Sequence, residues 1–382
     1  MNIGIDAKRI FFNHSGLGNY SRRFYNSLAK NLSGDSFFLY SPRPVEPGNP
    51  YIDNVFRQNS QIISPSSSIP KLFGGSLWRS GVFNGQFEKN GIKLYYGLSN
   101  EIPFGLKNSG IKSAVVIHDL IFLRYPELYP FTDRAVYRYK TVYACRNADY
   151  IIAASEQTRQ DIINFYKIKA DKISVIYPGT DPIFYGESVV DSGGFITVPR
   201  KYLLSIGAIT PRKNLLKTVE AFALVKDRYD LDLVVIGTAT GLGKKYLNTI
   251  RDFIDRKGIG ERVHFLGNVP YHFLPDITRK ASLMVYPSRF EGFGMPIVEA
   301  LFSNIPVITT KGGCFPEAGG NGAIYIDPDN MDEFINAINS VMDSETLRKT
   351  LVEKGRMHAE KFRQDEITAS ILSFQKKATE QI

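Results

Sequence analysis

Glu291 and Glu299 lie in the segment Tyr286-Pro-Ser-Arg-Phe-Glu-Gly-Phe-Gly-Met-Pro-Ile-Val-Glu-Ala300, where a strand end meets a glycine-bearing loop. Pro296 stands where the first position of a helix should be, because its fixed φ suits helix entry and its missing N–H is not needed there. Such a loop delivers free backbone N–H groups and a positive helix end to one point, which suits a phosphate or sugar hydroxyls. Gly292 and Gly294 let a ligand approach the backbone without a Cβ in the way. Glu291 before the helix and Glu299 in its first turn can then face one hydroxyl-rich ligand. The same pattern also fits a structural turn with a solvated Glu299, and residue chemistry alone leaves both readings standing.

A second strand-loop-helix segment, Gly207-Ala-Ile-Thr-Pro-Arg-Lys-Asn-Leu215, sets Arg212 and Lys213 beside a helix N-terminus. Two cations there suit the charge of a departing diphosphate, although an isolated Arg-Lys pair is usually solvated surface. Ser15-Gly-Leu-Gly-Asn-Tyr20 carries Gly16 and Gly18 between a strand and a helix. Ser21 replaces the third glycine of a dinucleotide fingerprint, and the second strand ends without an acid for a ribose, so a dehydrogenase reading is poor. His118 and Asp119 close another strand, and a histidine there points to where parallel sheets bind ligands; a purely structural histidine is the alternative. The Asp-x-Asp pair Asp327 and Asp329 follows the last strand of the second half. No metal is expected there, nor a cofactor elsewhere.

Short apolar runs alternating with helical patterns must position these residues, and that alternation predicts parallel sheets with crossover helices. Strands are expected at residues 2–6, 37–41, 93–96, 113–118, 150–154 and 173–176, then at 202–207, 232–236, 263–266, 283–286, 306–309 and 323–326. A helix capped by Ser155 over 156–165 would bury Ile162, Ile163 and Phe165. Further helices are expected at 215–228, 244–257, 273–280, 296–302 and 331–343. The fold class is α/β, two doubly wound domains of similar size facing each other across a cleft. Residues 1–185 form the first domain, the Gly- and Ser-bearing stretch 186–199 a linker, 200–359 the second domain, and 360–382 a closing helical stretch. Ser64–Pro70 reads as a mobile loop.

The 382 residues, 43% hydrophobic and 22% charged, describe a globular protein and exclude collagen-like or largely disordered chains. The formal charge is +9, of which residues 1–185 hold +8 and the remainder +1. An anionic partner is implied. Aromatics interleave the first-half cations at Arg22, Arg23, Phe24 and Tyr25, at Phe73, Trp78 and Arg79, and at Arg134, Tyr137, Arg138, Tyr139 and Lys140. That pattern suits an anionic bilayer surface or a solvated helix face, and nucleic acid is disfavoured because no recognition motif accompanies it. Cys145 and Cys314 lack metal spacing and are expected to be reduced thiols. Met1–Asp6 alternates like a strand, no apolar run approaches the roughly 18 residues of a membrane span, and a cytoplasmic protein is expected.

The Glu291-to-Glu299 segment resembles the Glu-x7-Glu signature of the retaining glycosyltransferases of family 4, and its flanks, Ala281–Ser288 and Pro306-Val-Ile with Glu317, match as well. The resemblance implies the GT-B fold of two Rossmann-like domains, with the last helix returning to the first. It implies that Glu291 with Gly292, Phe293, Gly294 and Met295 holds the donor sugar, and that Glu299 binds the nucleotide ribose. Arg212 and Lys213 would take the donor diphosphate, with Gly16 and Gly18 closing over the phosphates and the acceptor. His118 would contact the donor sugar and Asp119 would orient it or the acceptor; Val269 would meet the base through its backbone. His118 to Glu127 is most similar to mannosyltransferase-type members. The implied activity is metal-independent transfer of a hexose with retention, mannose from GDP-mannose being favoured over a UDP- or dTDP-sugar. The implied acceptor is a saccharide, polyprenyl-diphosphate-linked, at the inner face of the cell membrane in surface-polysaccharide or O-antigen assembly. A non-catalytic sugar-nucleotide sensor is the reading from another class.

Overall fold

The computed structural model describes residues 1–55, 58–65, 83–186, 190–192 and 195–380. Phe73, Trp78, Arg79, most of the Ser64–Pro70 stretch, and Ser188, Gly193 and Gly194 lie outside that set.

The chain divides into two compact units, Met1–Gly179 with Gln364–Ile382, and Thr180–Arg363. Stretch 186–199, expected as a linker, falls within the second unit. Buried Asp276 explains this: its Oδ2 accepts hydrogen bonds from the Ser192 N–H at 2.9 Å and the Ser192 hydroxyl at 2.5 Å. A composition shift marks flexible sequence but does not reveal such an anchor.

The first unit is built on a seven-stranded sheet in the order β3-β2-β1-β4-β5-β6-β7, every pairing parallel. The strands are β1 (Asn2–Asp6), β2 (Ser36–Tyr40), β3 (Ser60–Ile63), β4 (Leu94–Gly97), β5 (Lys112–Ile117), β6 (Tyr150–Ala153) and β7 (Ile173–Val175). Parallel strands need crossover helices on both faces, so their runs are apolar throughout rather than alternating. β5 shows it: Ala114 and Val116 join the core holding Phe24, Tyr25 and Phe374, while Val115 and Ile117 join the core holding Phe87 and Ile162. β3 was not anticipated, since its four residues lie at the sheet edge and Ser60 and Gln61 break the apolar signal.

The second unit holds a six-stranded parallel sheet in the order β10-β9-β8-β11-β12-β13. Its strands are β8 (Tyr202–Ile206), β9 (Asp232–Ile236), β10 (Val263–Gly267), β11 (Leu283–Tyr286), β12 (Val307–Thr310) and β13 (Ala323–Ile326). In both sheets the strand order reverses direction beside the first strand, between β1 and β4 and between β8 and β11. The loops leaving those strands diverge there and open a crevice at their carboxyl ends.

The closing helix is Gln364–Thr379, entered through a short 3-10 turn, and it packs in the first unit. Its Gln375 Oε1 accepts from the Tyr96 hydroxyl, Thr368 meets Ser27 at 2.8 Å, and Phe374 meets the Tyr150 ring edge-on. A separate helix, Glu345–Ala359, precedes it. Ser155 caps its helix through a 3.0 Å bond from the Thr158 N–H. Phe165, expected on the buried side of that helix, is 43% exposed; Tyr166 takes the inward place one position on.

Candidate functional site

The loops leaving β8 and β11 meet at the switch point of the second sheet. The Arg289 N–H donates to the Arg212 carbonyl at 2.8 Å, joining them through the backbone. After β8 the chain makes a single 3-10 turn, Pro211–Lys213, and passes through Asn214 in the left-handed region before the helix Leu215–Tyr229 begins. Arg212 and Lys213 thus sit one turn ahead of that helix. Gly207, at φ +142°, frees the space for the Lys213 stem: a Cβ there would stand 3.2 Å from Lys213 Cε.

Glu291 is the centre of the cluster. Its Oε1 lies 2.5 Å from Arg212 Nη1 and 2.7 Å from Lys213 Nζ, and accepts the Ser288 hydroxyl at 2.5 Å. Arg212 also donates to the Phe290 carbonyl, and Lys213 to the Tyr286 hydroxyl with its Nζ 4.6 Å from the centroid of that ring. Glu291 Oε2 receives no hydrogen bond among the described residues and remains available to a ligand hydroxyl. Burial works to raise the Glu291 carboxyl, but Lys213, Arg212 and the Ser288 bond outweigh it and hold it below the usual range. Burial draws the Lys213 ammonium down, with Glu291 opposing and Arg212 adding to the effect. The cluster holds two cations against one carboxylate, and its excess positive charge sits at the mouth of a parallel sheet. An incoming diphosphate would compete with Glu291 for both cations.

The loop after Glu291 turns into the helix Met295–Phe302, entered from Gly294 at φ +105°, a conformation an L side chain rarely adopts. Pro296 is the second helical residue. Glu299 therefore lies in the second turn rather than the first, and its Oε1 stands 3.4 Å from the Tyr271 hydroxyl. Phe293 is buried with its ring 5.1 Å from that of Phe362, so its side chain serves packing and only its backbone can meet a ligand. Val269 is buried just beyond β10. Beside it an open groove of about 510 Å³ runs along the ends of β9 and β10, lined by Gly237, Thr238, Gly267, Lys244, Asn248 and Arg251. Sequence reading missed the last three, although their spacing of four and three residues places them in one helical row. It also missed Tyr286 as the partner of Lys213. Asp327 Oδ1 accepts from the Asp329 N–H at 3.0 Å, and Asp329 pairs with Arg289 at 2.7 Å, so this Asp-x-Asp forms a turn and an ion pair. Among the described residues no group of three His, Cys, Asp or Glu side chains is placed to hold a metal.

In the first unit Gly16 and Gly18 belong to the first turn of the helix Gly16–Asn31, not to a loop ahead of it. Asn13 Oδ1 closes that helix end, accepting from the N–H groups of Ser15 at 2.9 Å and Gly18 at 3.0 Å. Gly18 is required sterically, since a Cβ would stand 1.9 Å from the Asn13 carbonyl; Gly16 faces open space. Arg22, expected on an anion-seeking surface, is buried. It donates to the carbonyls of Ile10 and Asn13 at 2.8 and 3.0 Å.

His118 directly follows β5 and is buried, with its Nε2 2.9 Å from the Leu98 carbonyl and its ring edge-on to Tyr20. The carbonyl can only accept, so Nε2 carries the proton and Nδ1 is left as an acceptor. Burial, aided by Arg9 and opposed by the Leu98 bond, pushes the imidazole down to about 4. An unfolded histidine titrates near 6.5, so below that pH the unfolded chain takes up a proton that the folded chain refuses. The stability due to His118 is thus complete above pH 6.5 and lost as pH falls toward 4, by about 2 kcal/mol between pH 7 and pH 5. Urea unfolding of the protein and of His118→Gln at both pH values should show a shallower pH dependence in the variant; equal slopes would exclude this account. Asp119 Oδ1 accepts from the Ile121 N–H at 3.1 Å, fixing the loop that follows.

Two doubly wound α/β units, one carrying a cation-carboxylate cluster at its switch point, define a protein of the GT-B class. Residues 14–184 match the glycosyltransferase family 4 model, and residues 194–358 match the model of glycosyl transferases group 1. The chain belongs to these family 4-like GT-B glycosyltransferases. It is 28% identical over 229 residues to the O-antigen chain mannosyltransferase RfbU of Salmonella typhimurium, covering 59% of this chain and 60% of that protein. It is 25% identical over 292 residues to the O-antigen chain mannosyltransferase B of Escherichia coli, covering 73% of each. A third relative, 25% identical over 232 residues and covering 59% of this chain and 60% of its own, is a Campylobacter jejuni N-acetylgalactosaminyltransferase whose name specifies a diphospho-undecaprenol-linked acceptor. Two solved structures share the fold: sucrose-phosphate synthase of Thermosynechococcus elongatus, with TM-score 0.77, 19% identity and full coverage of both chains, and Anabaena HepE in complex with UDP-glucose, with TM-score 0.74, 17% identity and coverage of 99% and 100%.

Proposed function

We propose that this glycosyltransferase moves mannose from GDP-mannose, with retention and without a metal, to a lipid-diphosphate-linked saccharide in O-antigen or related surface-polysaccharide assembly. The observation that carries the chemistry is the convergence of Arg212 and Lys213 on Glu291 at the switch point of the second sheet. As the bond from the sugar C1 to the diphosphate oxygen breaks, negative charge grows on that oxygen, and the two cations are already oriented to receive it. The acceptor oxygen bonds to C1 on the same face, and its proton passes to the departing phosphate. Glu291 Oε2 takes a sugar hydroxyl, Glu299 the ribose, and the groove beside Val269 the base. Arg212 and Lys213 supply the positive charge that a divalent ion would otherwise give.

Mannose is supported by the two O-antigen relatives, and the lipid-linked acceptor by the Campylobacter relative. A UDP-hexose donor is the second reading, favoured by the UDP-glucose complex of HepE. Incubation with GDP-, UDP- and dTDP-sugars, with and without a lipid-linked acceptor, should release GDP from GDP-mannose in an acceptor-dependent manner. Release of UDP alone would shift the donor to the second reading. Release from no donor under either condition would support a sensor.

A further inference from the structure

The helix Phe131–Asn147 has an unusual first half. From Phe131 to Tyr139 every residue except Arg134 is exposed, and the large apolar side chains are among the most open in the protein: Phe131 at 75%, Tyr139 at 66% and Val136 at 51%. Its fully buried residues, Thr141, Ala144 and Cys145, all lie in the second half. Two rings of the early turns also touch the protein, Tyr137 with its centroid 6.0 Å from that of Phe122 and Tyr139 with one side 5.7 Å from Phe104, while Phe131 and Val136 point outward. Amphipathic helices of soluble proteins hide their aromatics; this one presents them.

Phe131, Arg134, Arg138 and Tyr139 fall at spacings of three, seven and eight residues, which places them along one side of the helix. Among the described residues neither arginine has an acidic partner, and the Arg134 guanidinium lies 5.4 Å from the centroid of the Phe131 ring. Lys140, by contrast, is paired with Glu101 at 2.9 Å, and Arg124 is paired with Asp161 through two hydrogen bonds. Lys112 and Arg159 are likewise paired, with Asp149 and Glu156, while the two arginines of the aromatic row are not. Asp133, the helix's one acid, lies off that row.

We propose that this row is the surface by which the protein docks on an anionic lipid bilayer, with Phe131 and Tyr139 entering the headgroup boundary and Arg134 and Arg138 meeting lipid phosphates. The Phe131 ring suits the acyl side of that boundary and the Tyr139 ring, with its polar end, the headgroup side, and unpaired guanidinium groups suit phosphate oxygens. The proposal rests on the reading of a lipid-linked acceptor and names the face that would bring the protein to it. No helix among the described residues is long and apolar enough to cross a membrane.

The test is co-sedimentation of the full chain with vesicles of phosphatidylcholine alone or with 30% phosphatidylglycerol, at low and high salt. Retention is expected on the anionic vesicles at low salt, with release at high salt as the charges are screened. Arg134→Ser with Arg138→Ser should weaken retention about 30-fold, each surface cation contributing about fivefold. Phe131→Ser with Tyr139→Ser should weaken it by at least tenfold. These side chains are exposed, so the thermal midpoint should stay unchanged. Absence of retention, or retention unaltered in both variants, would overturn the assignment. So would self-association of the protein that both variants abolish, since a second copy would then own the face. With the acceptor dispersed in detergent, so that no bilayer has to be reached, nucleotide release from the donor panel should be the same in wild type and both variants, which separates loss of docking from failure of the transferase reading.

Discussion

Replacement of Lys213 by alanine should slow sugar transfer by about 10²- to 10³-fold, the usual consequence of deleting one preorganised group that meets developing charge. The size follows from its surroundings. Its Nζ is held by Glu291 and by the Tyr286 hydroxyl and ring, so the charge is in place before the donor arrives. Because the interaction strengthens as the phosphate departs, kcat should fall more than KM rises. Lys213→Arg should recover little, since a planar guanidinium does not fit the pocket that Gly207 opens for a lysine stem. Steady-state kinetics with unchanged circular dichroism would test this, and near-normal turnover in Lys213→Ala would remove the residue from the site.

Glu291→Ala should have two effects of different origin. Transfer should fall by orders of magnitude, because the Oε2 acceptor is lost and the cations lose the group that orients them. Stability should also fall, by about 3 kcal/mol, because Arg212 and Lys213 are left as mostly buried charges without a counter-charge. The pH dependence gives an independent check. Glu291's folded-state carboxyl is held below its ordinary value, so its contribution to stability is present above the unfolded carboxylate range and is lost as pH falls through the folded value. In Glu291→Ala the acid side of the stability profile should lose that component. Addition of a nucleoside diphosphate should restore the variant's stability more than it raises that of the wild type, since it supplies the missing negative charge. Equal stabilisation of both proteins would show that the two cations do not meet the diphosphate.

The architecture was largely legible in the sequence because parallel strands buried on both faces must be continuous apolar runs. β1, β9, β11 and β13 have the boundaries the pattern predicts. β3 escaped because an edge strand of four residues needs little apolar surface, and Phe165 was misplaced because a helix face read from spacing alone is uncertain by one position. Arg212, Lys213, Glu291 and His118 stood out by their place after strands and Glu299 by its place in the helix beyond, and the family resemblance supplied the role expected of each. Their individual states were not legible. Arg22 counted as surface charge yet is buried among carbonyls, and the absence of a Cβ at Gly18 also serves to clear the Asn13 carbonyl.

What the sequence by itself determined is therefore the class of protein: the alternation of strands and helices, two glycine-bearing turns and a carboxylate pair follow from local spacing, which covalent connectivity preserves. What only the tertiary structure decided is which charges face each other. Arg212 and Glu291 are separated by nearly eighty residues, and their 2.5 Å pairing exists because the reversal of strand order sets β8 beside β11. The same holds for the unpaired cations of the helix Phe131–Asn147. A basic residue is available to an anionic partner only when folding brings it no acid, and that is a property of long-range packing which composition does not contain.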